Sequence, residues 1–178
     1  MHFKRITSKK DIYFDKLMEI YNYSFPEFEK RTLNDQVEVL KNDNYKCTVV
    51  CEENILIGII LYWEFENYKY VEHLAINKHF RGKNYGSKIL KEFCSDNKII
   101  ILEIDPPIDE VSIKRLNFYE RLGFVMQEFN HIHPPYRKIY KGHNLKIMSF
   151  NRELLKEEYD TFNKFLKYEI MKYSECNN

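Results

Sequence analysis

The chain has little that would tie it to a membrane, an export route, a metal or a nucleic acid. Its longest apolar run, Ile55 to Trp63, is interrupted by Gly58 and falls far short of the ~20 residues that cross a bilayer. Met1-His2-Phe3-Lys4-Arg5 leads into no apolar segment, so no signal peptide is expected and the expected compartment is the cytoplasm. Against 27 Asp and Glu stand 28 Lys and Arg, a net charge of +1 with no basic block. That composition carries no nucleic-acid footprint. Of the four cysteines (Cys47, Cys51, Cys94 and Cys176), no set has a metal-ligand spacing. Cys47 and Cys51, four apart in a predicted strand, share a face but lie too far apart to bridge. Reduced structural thiols are expected. There is no internal repeat, low-complexity tract or linker. What remains is 178 residues, 44% hydrophobic and 31% charged, enough for one globular domain with a real core.

Periodicity predicts a mixed α/β order. Residues 3–7 read as a first strand. Asp11 is placed to cap a helix carrying Ile12, Phe14, Leu17, Met18, Ile20 and Tyr21, which Pro26 should stop. Thr32 or Asn34 can open a second helix with Val37, Leu40 and Leu33 inward. Tyr45–Cys51 and Ile55–Phe65 read as antiparallel strands, and Gly58 in the second marks a bulge or a close backbone approach. The near-continuous apolar run Ile99-Ile100-Ile101-Leu102-Glu103-Ile104 reads as a strand buried on both faces. It follows a helix and a strand over 70–76, so the two strands should be parallel. Ser95-Asp96-Asn97-Lys98 breaks the pattern before it. A helix at 110–121 closed by Gly123, a strand from Phe124 to Phe129, a His- and Pro-rich loop, a strand from Asn144 to Phe150 and a long helix over 151–172 complete the reading. The last helix has Leu154, Leu155, Tyr159, Phe162, Phe165, Leu166 and Ile170 on one stripe, suited to covering its own domain or a second subunit.

The chain is organised around residues 70–90. A strand ending Leu74-Ala75-Ile76 passes through Arg81-Gly82-Lys83-Asn84-Tyr85-Gly86 into an amphipathic helix with Ile89, Leu90 and Phe93 on one side. A glycine-bearing turn at a helix N-terminus presents free N–H groups and the positive end of the helix dipole, a cradle for phosphate or pyrophosphate. Arg81 and Lys83 add positive charge. The NTPase loop ending Gly-Lys-Ser/Thr is absent. A plain strand-to-helix connection and another phosphate loop are the other readings of this turn.

This turn resembles the acetyl-coenzyme-A-binding motif of the GCN5-related N-acetyltransferases (GNAT family), Arg/Gln-x-x-Gly-x-Gly/Ala after a Leu-Ala-Ile/Val strand. Asn84 stands where the middle Gly is usual, and Asn tolerates left-handed backbone. Leu116-Asn117-Phe118-Tyr119-Glu120-Arg121-Leu122-Gly123-Phe124 is similar to the family's second signature, an Asn-x-x-x-Phe-Tyr-Glu-x-x-Gly-Phe type sequence. The Phe-Tyr-Glu core fits; Asn117 is displaced.

The resemblance covers about residues 3–150 and implies a GNAT-like α/β fold. Its central sheet would be mostly antiparallel, flanked by helices, with a parallel strand pair that splays to hold acetyl-CoA. Residues 1–150 would be one acetyltransferase domain, and 151–178 a C-terminal helix packed on it or on a second subunit. Leu74, Ala75, Ile76, Arg81, Gly82, Lys83, Asn84, Tyr85, Gly86, Ser87, Asn117 and Tyr119 become cofactor-binding candidates. Phe25, Glu27, Arg31 and Tyr136 become candidates for acceptor contact. The implied reaction is direct attack of a primary amine on the thioester. An alkyl ammonium of pKa ~10.4 must first lose a proton. Glu72 and Glu103, on the two strands that flank the cofactor, are the candidate bases, acting directly or through water, and Tyr119 is the candidate acid toward the departing thiolate. Plainer roles stay open: an exposed strand residue for Glu72, an ion pair or cap for Glu103, a core aromatic for Tyr119. His73 is a third candidate base, which strand alternation puts on the opposite face from Glu72 unless a bulge intervenes. His131 and His133 have a two-residue spacing but no evident third ligand, so no metal is expected. The acceptor is expected to be a small-molecule or peptide amine, with no nucleic acid or membrane partner and a monomer or homodimer. A non-catalytic CoA-binding module and a nucleotide-binding βαβ protein are the alternatives.

Overall fold

The computed structural model describes residues 1–96 and 98–177. Asn97, in the expected Ser95–Lys98 break, lies outside them. Strand β1 (His2–Ile6) leads to helix α1 (Phe14–Ser24), a single 3-10 turn (Glu27–Glu29) and helix α2 (Leu33–Val39). Strands β2 (Tyr45–Glu52), β3 (Ile55–Glu64) and β4 (Tyr68–Ile76) follow, then helix α3 (Tyr85–Phe93), strand β5 (Ile99–Ile104) and helix α4 (Glu110–Glu120). Strands β6 (Phe124–Met126), β7 (His131–His133) and β8 (His143–Phe150) precede helix α5 (Lys156–Phe165). The sheet runs β1-β2-β3-β4-β5-β8-β6, with β7 also on β8. Among the described residues every pairing is antiparallel except β4 with β5.

Two apolar clusters sandwich the sheet. On one face α1, α2 and α5 cover Cys47, Val49, Ile59, Leu61, Trp63, Tyr70 and Ile101. On the other, Ile89, Leu90 and Phe93 of α3 and the partly buried Leu116, Phe118 and Tyr119 of α4 cover Ile60, Val71, Ile100, Leu102 and Ile104. The C-terminal stripe is spent on the chain's own core: Phe162, Leu166, Ile170 and Met171 have no exposed surface. Each such side chain contributes about 1.5–3 kcal/mol relative to exposure.

Local signals behave as their chemistry dictates, with four corrections. Thr32 caps α2 by accepting the Asp35 N–H at 3.0 Å, but Leu33 faces outward, 59% exposed. Asp11 holds the turn before α1 by accepting the Tyr13 N–H rather than capping the helix itself, which starts at Phe14 and leaves Ile12 exposed. The strand expected over Phe124–Phe129 ends at Met126, and the loop after it contains β7. The last helix starts at Lys156, leaving Leu155 exposed, and continues past Phe165 as a wider turn, Leu166–Ile170.

Two backbone features shape the middle of the sheet. Gly58 is a close approach: a Cβ there would lie 2.6 Å from the Ala75 carbonyl oxygen. Between β3 and β4 the register slips, Leu61 opposing His73 but Tyr62 opposing Val71, so Glu72 is an extra residue on β4. This bulge cancels the alternation. Glu72 and His73 both reach the α1/α5 face, while Val71 and Leu74 belong to the other.

Candidate active site

The parallel pair is short. β4 and β5 are in register only from Tyr68–Val71 against Ile99–Leu102. Beyond this β5 stays with β8 through Glu103 and Ile104, and β4 stays with β3 through Ile76. The strands therefore part, and a cavity of about 690 Å³ opens between β4 residues 70–76 and residues 102–105 at the end of β5. A second cavity, about 470 Å³, sits at the 81–86 turn, and Ile76 and Arg81 line both.

The turn cavity is lined by Gly82, Asn84, Tyr85, Gly86, Ser87, Phe118 and Arg121. Asn84 has φ 62° and ψ 14°, left-handed, immediately before α3. It supplies the conformation a glycine would, at the cost Asn bears most easily. Gly82 is left-handed too, at φ +74°. The first-turn N–H groups of α3 face no intrahelical acceptor, so this end can hold an anionic group. Arg81 is partly committed: its Nε donates to the Ile76 carbonyl at 3.1 Å and its Nη2 to Ser24 Oγ at 3.1 Å. Lys83 is exposed, its ammonium 5.3 Å from the Phe80 ring centre. Arg121, which the sequence reading passed over as part of a motif, lines the cavity. Asn117 does not line either cavity; it is exposed on α4.

The larger cavity is the acidic one, with Glu29, Glu72, Glu103 and Asp105 in its wall beside Phe25, Phe28, Tyr70, His73, Tyr119, His133 and Tyr136. Their partners separate the four carboxylates. Glu72 has no exposed side-chain surface and faces Arg31, itself fully buried, with two contacts of 2.7 Å. It also accepts from Tyr136 Oη at 2.8 Å and Trp63 Nε1 at 3.3 Å. Burial alone would raise its pKa, but the Arg31 charge and hydrogen bond outweigh that and hold it at about 2. Glu72 is thus the anion of a saturated buried ion pair, not a free base, which corrects its expected role. Arg31 is corrected with it. Its remaining donors go to the Tyr173 and Ile170 carbonyls at 3.0 and 3.4 Å. It ties the wall together from behind and does not line the cavity.

Glu103 points to the α1/α5 face, accepting from Tyr70 Oη and from His131 Nε2. His133 Nε2 lies 3.8 Å from its other side. Burial opposes ionisation, but the His133 and His131 interactions prevail and its pKa is lowered. Asp105 is paired with Arg115 at 2.5 Å. The Glu29 carboxylate has no hydrogen bond or ion pair to any described residue. Burial, then the Asp105 charge, raises it to about 7, with Arg115 opposing and Glu103 adding. The sequence reading missed it and named Glu27, which is exposed, pairs with Lys30 and Arg137, and is outside the cavity wall. The one available signal was position in the α1–α2 loop, which did not distinguish the two.

Phe25, Leu74, Ala75, Ile76, Tyr119 and Tyr136 line the larger cavity. Burial pushes the Tyr119 hydroxyl up to about 12, with Arg115 opposing, so it carries its proton at neutral pH. His73 packs edge-on against Tyr21 and Phe25. Its Nε2 donates to the Glu29 carbonyl at 2.8 Å, and burial lowers its pKa to about 4 despite Glu72. His133 lines the cavity and His131 lies behind it on Glu103. Among the described residues no group of three or more His, Cys, Asp or Glu side chains is arranged to hold a metal.

A sheet that parts at its one parallel pair, with a phosphate-type turn beside the gap, defines an acyl-CoA acyltransferase fold. The comparisons agree: residues 43–126 match the family model described as an acetyltransferase (GNAT) domain. YjbC of Bacillus subtilis, provisionally assigned as an acetyltransferase, is 36% identical over 69 residues, which is 37% of this chain and 35% of YjbC. A Bacteroides thetaiotaomicron protein assigned to the GNAT acetyltransferases superimposes with a TM-score of 0.90 at 28% identity, over 96% of this chain and 98% of that one. An aminoglycoside 6′-N-acetyltransferase complexed with coenzyme A shares the fold at a TM-score of 0.57 and 16% identity, over 84% of this chain and 96% of its own.

Proposed function

We propose that the protein transfers an acetyl group from acetyl-CoA to a primary amine by direct attack in a ternary complex. The observation that carries this is the adjacency of the two cavities, which share Ile76 and Arg81 as wall residues: a cationic, turn-built site lies next to an acidic, aromatic-walled one at the parting of β4 and β5. The donor set at the turn fits a pyrophosphate, with Gly82 and Asn84 left-handed and the N-terminus of α3, Arg81 and Arg121 around it. The coenzyme A held by the fold neighbour is in keeping with this reading.

Acetyl-CoA supplies the activated acyl carbon; the chain supplies position and protons. N–H groups of β4 in the parted half are the donors for the carbonyl oxygen as negative charge develops there. Tyr119 gives its proton to the departing sulfur and recovers one from the nitrogen that has attacked. Glu103, kept anionic, gives the acceptor cavity a fixed negative charge suited to an ammonium group. Holding the two substrates together accounts for much of the acceleration.

The test is thiol release from acetyl-CoA with a panel of primary amines, wild type against Tyr119→Phe. The reading expects turnover with at least one cationic amine and a large loss in the variant. A wild type that binds CoA but turns over no amine would favour a binding module.

A further inference from the structure

Four carboxylates line the acceptor cavity, and three are held by partners: Glu72 by Arg31, Asp105 by Arg115, and Glu103 by Tyr70 and His131. A carboxylate already accepting strong, charge-assisted hydrogen bonds is a weak base, because protonation must break them. Resting on the acetyltransferase reading, we infer that Glu29 is the catalytic base that takes the proton from the acceptor ammonium.

Glu29 lies in the turn between α1 and α2 and lines the cavity between Phe28 and the β4 wall. Its side chain is free of hydrogen bonds and ion pairs among the described residues, while its carbonyl, held by the His73 ring, fixes the backbone beneath it. The turn is thus anchored by the main chain and leaves the carboxylate available. Its pKa of about 7, raised by burial and Asp105, suits proton exchange near neutrality. The groups around it are Asp105 and Arg115 from the β5–α4 side, Glu103 from β5, His73 and the neutralised Glu72 from β4, and His133 and His143 from β7 and β8. Its neighbour Glu27 is engaged with Lys30 and Arg137.

The proton balance is complete. The ammonium N–H gives its proton to the Glu29 carboxylate, leaving a neutral amine with its lone pair. That pair forms the C–N bond, the carbonyl π pair moves to oxygen and returns as the C–S bond breaks, and Tyr119 passes one proton from nitrogen to sulfur. Glu29 then releases its proton to solvent, the one net proton of the reaction.

The test is kcat/KM against pH for Glu29→Gln, Glu29→Asp and wild type, with one amine that is cationic at neutral pH and one that is already neutral there. Wild type should rise through about pH 7 and level off with the cationic amine. Glu29→Gln should lose about 10²-fold with it at pH 7 and then climb tenfold per pH unit without levelling, following the free amine. Glu29→Asp should restore part of the plateau, and the neutral amine should lose little in any variant. A plateau kept in Glu29→Gln, or equal losses with both amines, overturns the role of Glu29 while the acetyltransferase reading stands. No turnover by wild type overturns both.

Discussion

The 81–86 turn and the acceptor cavity lie side by side yet are built in opposite ways. The turn is local. Six consecutive residues set its backbone, and it ends at the N-terminus of α3, whose first-turn N–H groups lack intrahelical acceptors. The acceptor cavity is assembled from the α1–α2 loop, β4, β5, β7 and β8, and its character depends on which charges cancel. The turn is therefore tolerant of side-chain change outside its left-handed positions. The cavity wall is not, because Arg31 and Glu72 are buried without exposed surface and each is the other's main counter-charge.

The largest expected effect follows from that contrast. Arg31→Met alone leaves Glu72 as an unpaired buried charge and should cost about 3–5 kcal/mol of stability, measured by urea unfolding. Replacing both Arg31 and Glu72 by Met should recover most of it. If the double variant is as unstable as the single, the pair is not the reason the wall is fragile. The pH dependence has a definite sign. The Glu72 pKa lies below its ordinary 4.5, at about 2, so its contribution is full above about pH 4.5 and is lost as the pH falls toward 2. The Arg31→Met variant should lack that component of acid unfolding.

Next comes Tyr119→Phe, which removes the proton donor while keeping the ring that packs against Phe118 and Phe124. Turnover should fall about 10²-fold with acetyl-CoA affinity unchanged; a matching loss of affinity would make Tyr119 a packing residue of the cofactor wall. At the turn itself effects shrink. Asn84→Ala should cost about 1–2 kcal/mol because alanine resists left-handed backbone, whereas Asn84→Gly should be close to neutral in unfolding titrations. An equal cost for both would mean the Asn84 side chain, not its φ, matters. Smallest of all, Arg121→Ala should weaken acetyl-CoA binding by about threefold, and less at high salt, as befits an exposed cation.

The same contrast explains what could be read from the sequence. The turn, the parallel strand pair and the apolar faces of α1 and α3 follow from spacing within ten residues or so, and Asn84 adopts the backbone its chemistry permits. The bulge at Glu72 was invisible because it is a property of the β3–β4 register, and register depends on a partner strand. It turned Glu72 and His73 to one face and brought Arg31, 41 residues earlier, against Glu72. A glutamate on a strand beside the cofactor is a reasonable base on paper; only its partners reveal that its lone pairs are taken. Glu29 was missed for the converse reason, since what distinguishes it from Glu27 is the absence of a partner. β7 was missed because three residues, His131–His133, carry too little alternation to stand out from a loop.

The measurement that bears most directly on the central claim is calorimetric titration of the protein with acetyl-CoA, followed by CoA and by ATP. The account predicts micromolar binding of acetyl-CoA and CoA at one site per chain, with ATP silent. No heat with either CoA species would contradict it, and ATP binding in their place would make the gap between β4 and β5 a nucleotide site.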